Sequence, residues 1–250
     1  MKHNRTAYRT IEILKYISTH KEAEMSELCQ AFELPKTSCY DILETLMATG
    51  MVQVTQEQKK KYHLAVGAYQ LGMGYLSHFS LEKSFEAPMQ RLTNQLNKTC
   101  FFGIPDKTNV VYLIKKEPAN PILTLGKVGA TNPMYCTGLG KAMLAFMSSD
   151  TSDDLLDNMH FRPRTVFTHQ SPESVKRELP VIRQQGYSVD FRELEDHGLC
   201  VAAPVFNAQG RVYGAVSVSD LYRPDEDVDA IGQAVKATAK ELSIICGYIE

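Results

Sequence analysis

Met25-Ser26-Glu27-Leu28-Cys29-Gln30-Ala31-Phe32-Glu33-Leu34-Pro35-Lys36-Thr37-Ser38-Cys39-Tyr40-Asp41-Ile42-Leu43-Glu44-Thr45-Leu46 carries the same apolar spacing on both sides of a turn. Met25, Leu28, Cys29 and Phe32 fall at i, i+3, i+4, i+7, and Cys39, Ile42, Leu43 and Leu46 repeat it. That period puts four apolar side chains on one face of a helix, so the stretch reads as two short amphipathic helices. Ser26 is available as the N-cap of the first, and Gly50 as the C-cap of the second. Glu33-Leu34-Pro35 between them is too short for anything but a tight turn.

Upstream, Ala7, Ile11, Leu14 and Ile17 recur at helical spacing. Downstream, Val52 and Val54 alternate with polar residues, a polar stretch Gln56-Glu57-Gln58-Lys59-Lys60 follows, and Tyr62 and Leu64 alternate again, which reads as a β-hairpin with a basic tip. Helix, helix, turn, helix and hairpin is the order of a winged helix-turn-helix, whose third helix enters the major groove while the hairpin tip reaches the backbone or minor groove. With Cys39, Ile42, Leu43 and Leu46 inward, Lys36, Thr37, Ser38, Tyr40 and Asp41 point outward near the start of the third helix. Lys36, Thr37, Ser38 and Tyr40, with Lys59, Lys60 and Lys61 on the wing, are therefore the candidate DNA-binding residues. Net charge adds little: residues 1–64 hold nine basic and eight acidic side chains, a balance of +1 against −3 for the remainder. Two plainer readings compete, a winged helix that packs against protein and a lysine run that is only a solvated hairpin tip.

The expected organisation is a DNA-binding domain over 1–65, a linker helix over 66–80 interrupted by Gly67, Gly72 and Gly74, and a second domain over 81–250. Phe85, Met89, Leu92 and Leu96 start that domain with a helical stripe, and short β-rich runs follow at 99–104, 110–115 and 122–126. Helices are predicted at 139–147, 172–185 and 225–246, and strands at 187–191, 200–206 and 211–219. Strands joined by hairpin-length connections with helices at both ends predict an α+β fold built on a mainly antiparallel sheet. At 250 residues, 44% apolar and 22% charged with a net charge of −2, the chain is neither disordered nor collagen-like. No apolar run approaches the ~18 residues that span a bilayer, so a cytosolic protein without a membrane partner is expected. Six cysteines scattered singly at 29, 39, 100, 136, 200 and 246 predict reduced thiols.

Gly126, Gly129, Gly138 and Gly140 cluster around Pro133 and Met134 just before a helix that starts near Leu139. Glycines free backbone N–H groups to face an anion, and a helix N-terminus adds partial positive charge, so a carboxylate suits this place. Ser217 and Ser219 share one face of a strand, Cys200 begins a neighbouring strand and Asp190 ends another, so short polar groups converge on one end of the sheet. Singly, each of these is an ordinary feature: a buried cysteine, the polar face of a strand, a glycine turn, a core methionine.

The order of segments and several local words resemble the IclR family of bacterial transcription regulators, from about residue 5 to 248. Leu34-Pro35-Lys36-Thr37-Ser38 resembles the turn into its recognition helix, and Tyr62-His63-Leu64 with Gly67 its wing end. Tyr135-Cys136-Thr137-Gly138-Leu139-Gly140-Lys141-Ala142-Met143-Leu144-Ala145 resembles its glycine loop and following helix. Gly186-Tyr187-Ser188-Val189-Asp190, Gly198-Leu199-Cys200-Val201-Ala202-Ala203-Pro204-Val205 and Gly214-Ala215-Val216-Ser217-Val218-Ser219 resemble its ligand-domain signature. Two departures stand out: Asp41 and Glu44 occur where many members carry an arginine, and Gly198 stands two residues before Cys200 instead of three. The resemblance implies a repressor or activator of a catabolic operon, acting on operator DNA as a homodimer or tetramer, with a GAF/profilin-like C-terminal domain that binds a small carboxylate effector and needs no cofactor. Carried over position by position, the effector site is Met134, Gly138, Leu139, Asp190, Cys200, Ser217 and Ser219, with Met134 as an apolar wall. Short neutral donors beside Asp190 suit a ligand with a carboxylate and a hydroxyl or carbonyl, such as a sugar acid or a 2-oxo or hydroxy acid.

Two rival functions use the same region. Asp190, His197 and Cys200 would make a cysteine nucleophile with a base and an orienter, although no nucleophile elbow or oxyanion signature accompanies them. Asp190, Glu193, His197 and Cys200 would make a metal sensor, although their spacing matches no common zinc site.

Overall fold

The computed structural model describes residues 4–55, 60–77, 81–121 and 126–249. The chain folds as two units, Met1–Ser80 and Leu81–Glu250.

In the first unit, helix α1 (Arg5–His20) is capped by Asn4, whose side chain accepts the Ala7 N–H at 3.1 Å. Its inward residues are Ile13 and Ile17, with Leu14 and Tyr16 at the flank, whereas Ile11 is exposed. The expected stripe through Ala7 and Ile11 is thus corrected by a rotation: the face that meets the core is the one where two isoleucines stack a full turn apart. Strand β1 (Ala23–Glu24) leads into α2 (Met25–Ala31). Glu24, not Ser26, caps α2: the Glu24 N–H donates to Glu27 Oε2 at 2.7 Å, closing a capping box made from two glutamates. Helix α3 (Lys36–Ala48) buries Cys39, Ile42, Leu43 and Leu46 as its spacing requires, and Gly50 follows it at φ +67°. Strands β2 (Val52–Val54) and β3 (Lys61–Leu64) pair antiparallel with Val54 opposite Tyr62, and β1 adds a third strand on the other side of β3. The wing residues 56–59, Lys59 among them, lie outside the described residues. Helix α4 (Val66–Ser77) starts where the Gly67 N–H donates to Gly50 O at 2.9 Å. A Cβ on Gly67 would sit 2.5 Å from that oxygen, so the contact requires glycine.

The second unit is built on a six-stranded antiparallel sheet in the order β6-β5-β4-β9-β8-β7. Its elements in chain order are α5 (Leu81–Leu96), β4 (Thr99–Asp106), β5 (Asn109–Lys116), β6 (Thr131–Pro133), a 3-10 turn Met134–Cys136, α6 (Gly138–Phe146), α7 (Ser149–Asp157), α8 (Pro172–Gln185), β7 (Ser188–Phe191), β8 (Gly198–Phe206), β9 (Val212–Leu221) and α9 (Val228–Ile245). Alternation along the strands divides the core. Phe102, Val201, Ala203, Val216 and Val218 pack against Phe85, Met89 and Leu92 of α5 and Ile231, Val235 and Leu242 of α9. Phe101, Tyr112, Ala202 and Ala215, on the opposite face, pack against α6 and α8. Strand β6 and helix α7 were not expected from the sequence, and four of the five positions of the expected strand at 122–126 lie outside the described residues.

Strand β7 pairs with β8 only as far as Ala202. Beyond it Pro204 brings no N–H, and the Phe206 N–H donates to Ser243 Oγ of α9 at 2.9 Å. Helix α6 approaches the preceding segment so closely that a Cβ on Gly140 would lie 2.3 Å from both Cα and O of Met134. Replacing Gly140 by alanine should therefore destabilise the unit by about 1–3 kcal/mol, the range for overpacking, against a gain of ~1 kcal/mol that helix propensity alone would give. Chemical denaturation of the G140A variant decides the sign; a stabilised variant would mean that the close approach is not maintained.

Candidate functional site

In the first unit, Lys36, Thr37 and Ser38 form the first turn of α3, behind Pro35, and no side chain caps that helix. Its leading N–H groups and partial positive charge therefore face outward beside the Lys36 ammonium and the Thr37 and Ser38 hydroxyls, a phosphate-binding arrangement. Tyr40 is 50% exposed, and its hydroxyl meets the Glu44 carboxylate one turn on, which holds the phenol above its ordinary range. Lys61 is not simply a free wing cation: its ammonium forms an ion pair with Glu22. Ser38, Asp41 and Thr45 face Thr6, Arg9 and Thr10 of α1 across a shallow cleft, so an acid shares the outward face with the donors.

In the second unit, strand register gathers the polar groups. Asp190 lies opposite Cys200, Cys200 opposite Ser219, and Ser219 opposite Thr99, a row across four neighbouring strands. One row further on, Ser188, Ala202, Ser217 and Phe101 are aligned in the same way. Directly opposed residues point to one side of a sheet, so both rows face α6. There Gly138, Asp190, Cys200, Ser217 and Ser219 line a cavity together with Phe101, Tyr112, Gly126, Thr137, Leu194, Glu195, Gly198 and Leu199. Met134 and Leu139, expected to line it too, are fully buried in the core alongside and do not reach it, because the turn of α6 that brings Gly138 to the cavity aims Leu139 inward. Phe101, Tyr112, Thr137, Leu194 and Glu195 were missed: register and loop path place them, and only Thr137, within the glycine-loop words, carried a sequence signal.

Thr137 caps α6, its hydroxyl accepting the Gly140 N–H at 3.1 Å and donating to Pro133 O at 3.1 Å. The Gly138 N–H faces the Cys200 sulfur, and a Cβ on Gly138 would stand 3.0 Å from it. Ser188 Oγ donates to Gly138 O at 2.6 Å and pins the helix start to β7. Ser217 Oγ is buried beside the Cys200 thiol and makes no hydrogen bond of ordinary geometry. Asp190 is not free for a ligand on both oxygens: Oδ1 accepts the Glu193 N–H at 2.8 Å and the Leu194 N–H at 3.4 Å, folding the loop after β7 over the cavity. Burial, then the charge of Glu193, pushes the Asp190 carboxyl up to about 7. The cavity holds about 30 Å³, the share of one water molecule and about a tenth of the smallest usual ligand pocket.

Neither rival constellation assembles. His197 is exposed and lines a separate shallow cleft with Arg192, Asp196 and Tyr222. Burial, with Asp190 nearby, pushes the Cys200 thiol up to about 12, the opposite of what a thiolate nucleophile needs. Glu193 turns away from Cys200 to bind the ammonium of Lys141.

Residues 73–244 match the model of the bacterial transcriptional regulator IclR C-terminal domain, and residues 9–66 that of the sugar-specific transcriptional regulator TrmB. The chain is similar to the HTH-type transcriptional regulator KdgR of Dickeya chrysanthemi, 30% identical over 207 residues that make up 83% of this chain and 68% of that protein. It resembles the crystal structure of Thermotoga maritima IclR with a TM-score of 0.77 and 26% identity, covering 98% of this chain and all of that one. In fold it also resembles an IclR homolog from Microbacterium hydrocarbonoxydans complexed with 4-hydroxybenzoate, at a TM-score of 0.83, 15% identity and coverage of 96% and 98%. A winged DNA-binding unit and an effector-binding α+β unit on one chain define a transcription regulator. The chain belongs to the IclR family.

Asp190→Ala should free the 192–198 segment, at a cost of about 1–3 kcal/mol for the lost bonds to a buried carboxylate, whereas Asp190→Asn keeps an acceptor at Oδ1 and should hold the loop. Hydrogen exchange read by mass spectrometry reports this directly. Equal protection of the segment in both variants would show that the clasp does not order it.

Proposed function

We propose that this regulator senses a small organic acid bearing a hydroxyl or carbonyl, bound between the N-terminus of α6 and the serine-bearing face of the sheet, and that occupancy changes its affinity for the operator of a catabolic operon. The observation that carries the reading is Ser217: its hydroxyl is buried in the sheet with only the Cys200 thiol beside it and no hydrogen bond of ordinary geometry, a state that costs about 1–3 kcal/mol and that a ligand oxygen would relieve. Ser219 and Cys200 stand beside it on the same face. The 4-hydroxybenzoate held by the Microbacterium homolog is a carboxylate with a hydroxyl. Since the cavity is this small, it admits a ligand as the loop carrying Leu194 and Glu195 lifts, and the Asp190 clasp is the contact that must give. Loop movement and ligand binding are then linked, so a ligand that stabilises the lifted loop shifts the population of the whole sensor unit.

Operator contact belongs to Lys36, Thr37, Ser38 and Tyr40, with Lys60 and Lys61 on the wing. Two copies of the chain reading two half-sites fit a helix-turn-helix. Val66, Tyr69 and Leu71, exposed by 67–69% on α4, offer the apolar surface a homodimer would cover.

A thermal-shift screen of sugar acids, 2-oxo acids and hydroxy acids identifies the ligand. Isothermal titration of that ligand into the Ser217→Ala, Ser219→Ala double variant should show affinity weakened by roughly 1–3 kcal/mol, with operator binding in the absence of ligand nearly unchanged in a gel shift. Undiminished ligand affinity, or an operator defect with no ligand present, removes the serines from the account. On the DNA side, Lys36→Ala should weaken binding to all sequences and reduce the slope of log K against log salt by about 1. Lys61→Ala should change it less, because Glu22 already neutralises that ammonium. Equal slopes for the two variants and the wild type would exclude the first turn of α3 as a phosphate contact.

A further inference from the structure

Behind the loop that borders the cavity lies a group of charges that the sensor reading leaves unused. Lys141, on α6, is wholly buried. Its ammonium donates to Glu178 Oε1 and Oε2 of α8, both at 2.9 Å, and to Glu193 Oε1 of the loop after β7. His169, in the connection before α8, places Nε2 at 2.9 Å from Glu178 Oε2 and 3.6 Å from Glu193 Oε2. These three atoms lie within 4.8 Å of one another. Glu193 Oε2 is buried and has no hydrogen-bond partner, although it faces the imidazole.

Charge counting shows what the group lacks. With the imidazole neutral and both acids ionised, Glu178 and Glu193 bring two negative charges against the one positive charge of Lys141. Burying the remaining negative charge costs several kcal/mol unless a cation or a proton makes it up. Zinc–nitrogen and zinc–oxygen bonds of about 2.0–2.1 Å at tetrahedral angles set ligand atoms about 3.3 Å apart, between the two separations found here. One imidazole and two carboxylates suit zinc and its first-row neighbours.

We propose that His169 Nε2, Glu178 Oε2 and Glu193 Oε2 bind one divalent cation of the zinc class. Lys141 holds the two carboxylates by their Oε1 atoms and so presents Oε2 of each to the ion; its present contact with Glu178 Oε2 is the one the ion displaces. Side-chain exposure of 20% at His169 and 29% at Glu178 leaves one side open, where a water completes the coordination. The site shares only Glu193 with the set Asp190, Glu193, His197 and Cys200 that the sequence offered, and it contains no thiol. A bound ion would tie α8 and the connection before it to the loop that Asp190 clasps.

The test uses the full chain without an affinity tag, stripped with a chelator and titrated with zinc by calorimetry and with cobalt by visible absorption. One equivalent of each metal should bind, cobalt giving the d–d bands of a low-coordinate centre. His169→Gln and Glu178→Gln should each weaken zinc binding at least about tenfold, the lower end for disturbing even an outer-shell partner, and should alter the cobalt bands. Cys200→Ser should leave both measurements as in the wild type. Circular dichroism verifies folding; if Glu178→Gln fails to fold, the His169→Gln variant, at a partly exposed position, carries the decision. Absence of stoichiometric binding overturns the proposal, and so does binding that survives His169→Gln or is lost in Cys200→Ser. Because the readout is the metal alone, its failure leaves the organic-acid reading untouched.

Discussion

The N-terminus of α6 rests directly on β8, and the sensor unit depends on that contact. Gly138 lets the helix backbone reach Cys200, Gly140 lets it reach the Met134 backbone, and Ser188 fixes the first carbonyl. A side chain at Gly138 would lift the helix off the sheet, and one at Gly140 would push it away from the preceding turn. The lift would carry away the Thr137 cap, the N–H that faces Cys200 and, one turn further on, the Lys141 ammonium. Cavity and charge cluster are thus two sides of a single helix placement: its first residues meet the polar rows of the sheet, and its next turn anchors the loop that covers them.

Lys141 shows why that placement is specific. A buried ammonium held by two carboxylates adds little net stability over an apolar replacement, yet breaking one partner is costly. Any arrangement of α6, α8 and the loop after β7 that separates Lys141 from Glu178 and Glu193 therefore carries a large penalty. Packing alone, among the interchangeable leucines and alanines of this core, would discriminate much less between neighbouring helix registers.

Local chemistry made the first unit readable. The spacing of Cys39, Ile42, Leu43 and Leu46 defines α3 because those four residues alone make its buried face. Ser26 misled because glutamate is an uncommon N-cap, and the reciprocal bond to Glu27 that makes Glu24 one is visible only in three dimensions. Helix α7 went unseen because its first turns are Ser-Asp-Thr-Ser-Asp-Asp and only Ser152 and Leu156 are buried, too little for a periodic signal. Ser217, Ser219, Cys200 and Asp190 were legible through strand alternation and family words, and the register then aligned them in adjoining rows. The grouping of Lys141 with His169, Glu178 and Glu193 was not legible, since separations of 37 and 52 residues link the lysine to its acids. Met134, expected as an apolar wall of the site, is buried in the core cluster beside the cavity.

The far end of β8 has a bearing on the life of the protein before it ever meets DNA. Beyond the reach of β7 the strand offers Pro204, which has no N–H, and Phe206, whose N–H is already given to Ser243. An open sheet edge is where nascent or crowded chains pair by backbone alone, without regard to sequence. With its donors removed or occupied, this edge gives an incoming strand little to bind, so copies of the chain that meet on the ribosome or at high concentration must recognise each other through side chains. Selective association is thereby favoured over fibre-like growth along this stretch of the sheet.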